Sequence, residues 1–150
     1  MSAKTEKPTV GTVLGALPSG LFVLACDGDY SVVSWVQQAG FSPPAISVAL
    51  AHGRAVATSV LAGKPFTLSA LPDGALAMCK PFLAGDAAGA KAALDEHGVV
   101  RGALGWLKCR HRAHTHSGDH DVIVAEVLDG ARLLPHAKPY VHLRRDGSRY

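Results

Sequence analysis

Residues 114–127, HTHSGDHDVIVAEV, set three histidines and two aspartates against a run of β-branched residues. Imidazole nitrogens and carboxylate oxygens are ligands for borderline divalent metals, and imidazole also titrates near neutral pH. Metal binding and proton handling are therefore both open to this stretch. His114 and His116 are two residues apart, so an extended strand aims both to one side. His120 lies across the turn and, with Asp119, can come near them as a zinc or iron ligand set. HTHSGDH nevertheless matches no specific metal spacing, and a polar hairpin end with titratable side chains in water is the favoured reading. No metal ligand is assigned, and His114 and His116 are read as solvated neighbours. His120 differs, because it opens a strand whose same-face neighbours are Val122, Val124 and Glu126. It is either a half-buried ring that presents a nitrogen to a ligand or a histidine bonded to a turn carbonyl.

The elements that must position these residues follow from pattern. LGWLKCRHRAH and HDVIVAEVL, joined by THSGD, form the strongest hairpin. Alternation puts Leu107, Cys109 and Ala113 on one face of its first strand and Lys108, Arg110 and Arg112 on the other. Upstream, GLFVLAC is a short apolar run bounded by turn residues, a buried strand. DGD over 27–29 has hairpin-turn chemistry, and YSVVSWV over 30–36 is the partner strand. GFSPP predicts an irregular connection, since neither Pro43 nor Pro44 can donate to a ladder. AISVALA over 45–51 is a further strand. GRAVATSVLAG shifts to a helical period and stops at Gly63. PFTLSAL returns to a strand, DGALAMCKPFL and AAGAKAALDEHG are short helices, and PYVHLRR is a last strand. Successive strands with helices as excursions predict a closed or nearly closed antiparallel barrel. A doubly wound sheet would need regular βαβ alternation, which is absent.

The 150 residues suit one domain over 10–150 behind a short polar tail over 1–9. With 48% apolar and 18% charged residues the chain reads as a compact globule rather than a disordered one. The formal charge of +3 is weakly basic, and the aromatics do not interleave with the basic residues as stacking platforms would, so nucleic acid is not expected as a partner. Cys26, Cys79 and Cys109 are odd in number and unpaired in spacing. This argues against a disulfide framework or zinc ribbon and for buried thiols in a reducing compartment. The longest apolar run, VGTVLGALPSGLFVLAC, is too interrupted for a membrane span and lacks the architecture of a secretory signal.

A wider set of segments occurs in a recognisable order: SWVQQAGFSPPAISVAL, Arg54, FTLSALPDG, LGWLKCR, GDHDVIVAEV and HLRRDGSRY. Together, over about 10–150, they resemble the flavin reductase-like family of split-barrel FMN-binding proteins. The similarity is strongest to the flavin reductase module at the C-terminus of cyanobacterial and algal flavodiiron proteins. The resemblance implies a mainly β, six-stranded Greek-key split barrel with short helical excursions, which dimerises with FMN near the interface. It implies hydride transfer from NADH or NADPH to the flavin, with electrons passed to oxygen, a partner enzyme or a metal centre. It also implies a soluble protein of the cytoplasm or chloroplast stroma.

The resemblance carries over to particular residues. Ser34, Trp35, Val36 and Gln38 match positions that wrap the flavin's ribityl chain, ring edge and phosphate. Arg54 matches the basic residue that opens the following helix, where a guanidinium suits a terminal phosphate, and Ser59 can add a hydroxyl from that helix. His120 matches the histidine of the family's G-D-H and is the catalytic candidate. Lys64 is either a surface lysine or a phosphate contact. The pattern differs at Tyr30, Ser31 and Val32, where the family has glycine and a small residue or methionine. It differs also at Gly40 in place of a hydroxyl residue, at Gly53 in place of an acid and at Ser69 in place of asparagine. Those differences frame the alternative, a catalytically degenerate split-barrel dimer that serves as an assembly subunit of a larger complex. Haem or metal at the histidine hairpin is a third possibility.

Overall fold

The computed structural model describes residues 9–148. The polar tail expected over 1–9 lies outside the described residues except Thr9. That residue caps the first helix, its hydroxyl accepting from the Thr12 N–H. The elements are α1 (Val10–Gly15), β1 (Phe22–Cys26), β2 (Asp29–Val33), β3 (Val36–Phe41), β4 (Pro44–Ala51), α2 (Ala55–Leu61), β5 (Phe66–Ala70), a 3-10 turn (Ala75–Cys79), α3 (Lys80–Leu83), α4 (Ala87–Ala93), β6 (Gly105–Ser117) and β7 (His120–Arg132).

The strands form one antiparallel sheet in the order β2-β1-β5-β6-β7-β4-β3. Its two edge strands, β2 and β3, are consecutive in the chain and are separated only by Ser34 and Trp35. Three residue steps reach at most about 11 Å. Seven strands laid flat would put the edges roughly 28 Å apart. The sheet must therefore curl until its edges meet, and the short link becomes the closing seam of a split barrel. The expected mainly β split barrel is present, with seven strands in the sheet rather than six.

Three local expectations are corrected. The strand expected over 30–36 is interrupted at Ser34 and Trp35, where the chain passes from one edge to the other. GFSPP is not an irregular connection: Phe41 pairs with Pro44 across a tight β3–β4 turn, and a bulge falls between Gln38 and Gly40. Both prolines sit at the turn and strand start, where a missing N–H costs no ladder bond. The last strand expected at PYVHLRR is instead an extended strap held by isolated bridges, Pro72 to Pro139 and Ser19 to His142. Neither proline of the first bridge can donate, and Pro18 interrupts the facing segment, so no continuous ladder forms.

Alternation on β1 sorts the core into two. Leu24 faces inward with Val48, Phe66, Leu68 and Ile123, and α2 plugs this interior with Val56, Ala57 and Val60. Val23 faces outward, against Leu71, Cys79, Phe82 and Val100. All three cysteines are buried, as expected, and burial pushes the Cys109 thiol up to about 12. Among the described residues no helix is long and apolar enough to cross a membrane.

The loop between α4 and β6 is organised by Asp95, whose Oδ1 accepts from the N–H groups of His97 (2.8 Å) and Val99 (3.0 Å). Burial raises the Asp95 carboxyl, but these two bonds outweigh it and hold the group below the usual carboxylate range. A carboxyl depressed on folding contributes stability that is complete above its unfolded value and is lost as pH falls through its folded value. Urea midpoints measured downward from pH 6 should therefore fall more steeply in the wild type than in Asp95→Ala. Parallel pH profiles would show that Asp95 does not contribute.

Candidate functional site

The seam is fixed by backbone bonds. The Trp35 carbonyl accepts from the Ala49 N–H at 3.0 Å, and the Ser34 carbonyl accepts from the Val36 N–H at 3.1 Å. This holds the Trp35 ring with its centroid 4.7 Å from that of His120, tilted by 40°. The Arg144 guanidinium, on the C-terminal strap, lies 5.2 Å from the Trp35 ring centre, within cation–π range. From the other side, Arg54 Nη1 donates to the Ser31 hydroxyl at 2.8 Å.

Two hollows share Ser34, Trp35 and Ala49. The smaller, about 50 Å³, is lined by Ser31, Arg54 and His120. The larger, about 410 Å³, opens between Leu14, Leu17, Gln37, Val122 and Arg144. The larger one alone falls in the range of roughly 300–1,000 Å³ typical of small-molecule sites. The pair offers flat ring surface, short hydroxyls and positive charge in one crevice.

Of the residues singled out in the sequence, Ser34, Trp35, Val36, Arg54 and His120 line these hollows. Gln38 does not: it is exposed on β3, its amide donating to the Gly40 carbonyl at 3.4 Å. Gln37 lines the crevice in its place. Ser59 is half-buried on α2 and lines neither hollow. Lys64 pairs with the Asp27 carboxylate, away from the crevice. Tyr30 leaves the crevice open, because its ring packs edge-on against Phe82 with centroids 5.3 Å apart. Ser31, noted in the sequence only as a departure from the family pattern, is buried beneath Arg54 and orients it. Its place two steps before Val33 in an alternating strand is the available signal.

The histidine cluster is divided by strand parity. Across the Gly118–Asp119 turn, Ser117 pairs with His120 and His116 with Asp121. Adjacent residues of a strand face opposite ways, so His120 turns to the seam while Asp121 turns with His116 to the other face. His120 is only 7% exposed, and its Nδ1 hydrogen-bonds Asp119 Oδ1 at 2.7 Å. The bond and charge of His120 hold the Asp119 carboxyl below its usual range.

On the other face, His116 Nδ1 bonds Asp121 Oδ1, and His52 Nε2 lies 3.3 Å from the same oxygen. Burial raises the Asp121 carboxyl, and the two imidazoles outweigh this and lower it. The set of His114, His116, His120 and Asp119 weighed in the sequence is thus not assembled. His52, far away in the chain, joins His116 instead.

A barrel closed at a two-residue seam, with an indole, an imidazole and a guanidinium gathered there, defines a split-barrel protein with a crevice at its seam. Residues 14–148 match the flavin reductase like domain, and the chain belongs to that family. It is 34% identical to putative diflavin flavoprotein A 6 of Nostoc sp., over 99% of this chain and 28% of that protein. It is 35% identical to putative diflavin flavoprotein A 3 of Synechocystis sp., over 99% of this chain and 26% of that protein. The chain thus spans about a quarter of the length of these curated relatives. The fold is shared with the NADH:FAD oxidoreductase SgcE6 of Streptomyces globisporus, solved with NAD and FAD fragments. The TM-score is 0.77 at 20% identity, covering 92% of this chain and 87% of the other.

Proposed function

We propose that the chain binds FMN in the seam crevice and acts as an NAD(P)H-dependent flavin reductase. The observation that carries this reading is the meeting of Trp35, His120 and Arg54 in one crevice. When bound, FMN would supply two-electron redox chemistry, with NADH or NADPH as hydride donor and oxygen or a partner as electron acceptor. The protein's own part is binding and alignment. Arg54, held by Ser31, supplies a charge-assisted donor to a terminal phosphate, and one guanidinium at the exposed edge of the crevice suits FMN's single phosphate. Trp35 offers ring surface with the Arg144 guanidinium beside it, Ser34 a hydroxyl, and the exposed Leu14 and Leu17 apolar contact at the mouth. His120, fixed by Asp119, orients the flavin edge and the nicotinamide.

The partner proposals rest on other features. An apolar trough of about 610 Å³ beside Phe22, Pro44, Leu107 and Leu128, with Phe41 88% exposed at the β3–β4 tip, supports a homodimer. The likeness to one part of longer diflavin flavoproteins supports work beside a redox partner or inside a larger complex. Buried thiols support a reducing compartment, the cytoplasm or chloroplast stroma.

FMN titration by fluorescence, followed by NAD(P)H oxidation with and without FMN, tests the activity. The expected result is saturable quenching and FMN-dependent oxidation. In His120→Ala, oxidation should fall by on the order of tenfold or more while FMN still binds. A protein that binds FMN yet oxidises neither nicotinamide would favour the assembly-subunit alternative. One that does not bind FMN would end the proposal. Light scattering at twice the chain mass would support the dimer, and a monomer would exclude it.

A further inference from the structure

On the face of β7 turned away from the seam, we propose that His52, His116 and Asp121 form a site for a borderline first-row divalent ion of the Zn²⁺ type. One ligand atom from each of the three lies within 4.8 Å of the others. Both imidazoles already converge on Asp121 Oδ1, His116 through Nδ1 and His52 through Nε2 at 3.3 Å. Metal–ligand bonds of about 2.0–2.2 Å hold tetrahedral ligand atoms roughly 3.3–3.6 Å apart. Small side-chain adjustments therefore exchange two hydrogen bonds for three metal bonds.

The ligands stand on a rigid corner of the sheet. Asp121 is on β7, His116 is its direct partner on β6, and Leu50 of β4 is its partner on the other side. His52 follows β4, and its backbone N–H bonds the Asp119 carbonyl at 3.0 Å. Ladder bonds fix the Asp121 and His116 backbones, and the bond to Asp119 fixes that of His52, before any ion arrives, which removes much of the ordering cost of binding.

Burial and donor type narrow the ligand. The Asp121 side chain is only 6% exposed, and a carboxylate out of water calls for a compensating charge. The His116 and His52 rings are 72% and 44% exposed, so an ion can enter from solvent and keep positions for water or a further ligand. Two imidazoles and one carboxylate suit zinc, cobalt, iron or nickel. Calcium and magnesium prefer all-oxygen sets. A row of rings continues from the site: His114 lies 5.8 Å from His116, and His111 Nε2 lies 2.8 Å from His114 Nδ1. The β-bulge between His111 and Ala113 resets the strand's parity and brings His111 to the side of His114.

The test uses the full chain without a histidine tag, stripped with chelator and free of flavin, so its outcome is separate from that of the FMN reading. Calorimetric titration with ZnCl₂ should give one equivalent per chain. Titration with CoCl₂ should give visible absorption bands of nitrogen and oxygen ligation. His52→Ala and His116→Ala, both at exposed rings, should each weaken Zn²⁺ at least about tenfold, while His111→Ala should leave affinity unchanged. Absence of uptake by the wild type would overturn the proposal. So would affinity that survives the double substitution of His52 and His116, or that is lost on His111→Ala instead. The Co²⁺ spectrum of the wild type decides ligation even if a variant is misfolded.

Discussion

Phe66→Ala is expected to lower the unfolding free energy by about 3–5 kcal/mol, the range for emptying a buried phenylalanine site. Phe66 is 1% exposed, opens β5 and pairs with Cys109 of β6 inside the barrel. It packs in the interior cluster with Leu24, Leu68, Ile123 and α2's Val60. The loss combines the transfer energy of the ring with a cavity that the surrounding strands cannot close, because they are tied into the curled sheet. Against a typical domain margin of roughly 5–15 kcal/mol, this removes a large part of the stability. Urea unfolding followed by far-UV circular dichroism measures it. Leu83→Ala, at an exposed position on α3, should change stability by less than about 0.5 kcal/mol. A Phe66→Ala loss below about 1 kcal/mol would mean that the barrel interior is not closed as described.

Arg54→Ala should weaken FMN about 10- to 150-fold. That range corresponds to roughly 1.5–3 kcal/mol for a hydrogen bond to a charged group. Riboflavin, which lacks the phosphate, should bind with nearly the same affinity to both forms. The contrast isolates the charge, because general damage to the crevice would weaken both flavins alike. Equal losses for the two would therefore remove Arg54 from any phosphate role. The helix behind Arg54 has only seven residues, so the guanidinium itself, braced on the Ser31 hydroxyl, must carry most of the attraction. Arg54→Lys should recover only part of the affinity, since an ammonium keeps the charge but not the planar fork.

How much of this was legible beforehand varied with the reach of the interaction. β1 was readable as an apolar run between turn residues, and the β6–β7 hairpin from its alternation and turn, although the bulge between His111 and Ala113 carries Ala113 to the face opposite Cys109. Buried, unpaired thiols followed from the number and spacing of the cysteines. The ordered segments pointed to the family, and five of the residues they singled out do line the crevice. Gln38 was readable as a motif position but not as a direction. The start of β3 after Trp35 and its register on β4, with Gln37 opposite Ser47, decide that Gln37 lines the crevice and Gln38 does not. The strap segment at 139–145 read as a strand because its residues favour extension. What it lacks is a partner segment with free donors, and composition does not reveal a partner.

By itself the sequence determined the local matters: which runs extend, where the chain turns, which side chains seek the interior, and which cofactor family the ordered segments resemble. These depend on neighbours within a few residues, whose sterics and hydrophobic period act wherever the chain lies. The tertiary structure alone decided that Ser34 and Trp35 close a barrel, that His120 and His116 part company, and that His52 meets Asp121. Each outcome depends on pairing register and strand parity across distant segments. A one-residue shift there reverses every side chain, and only the packed sheet selects the register.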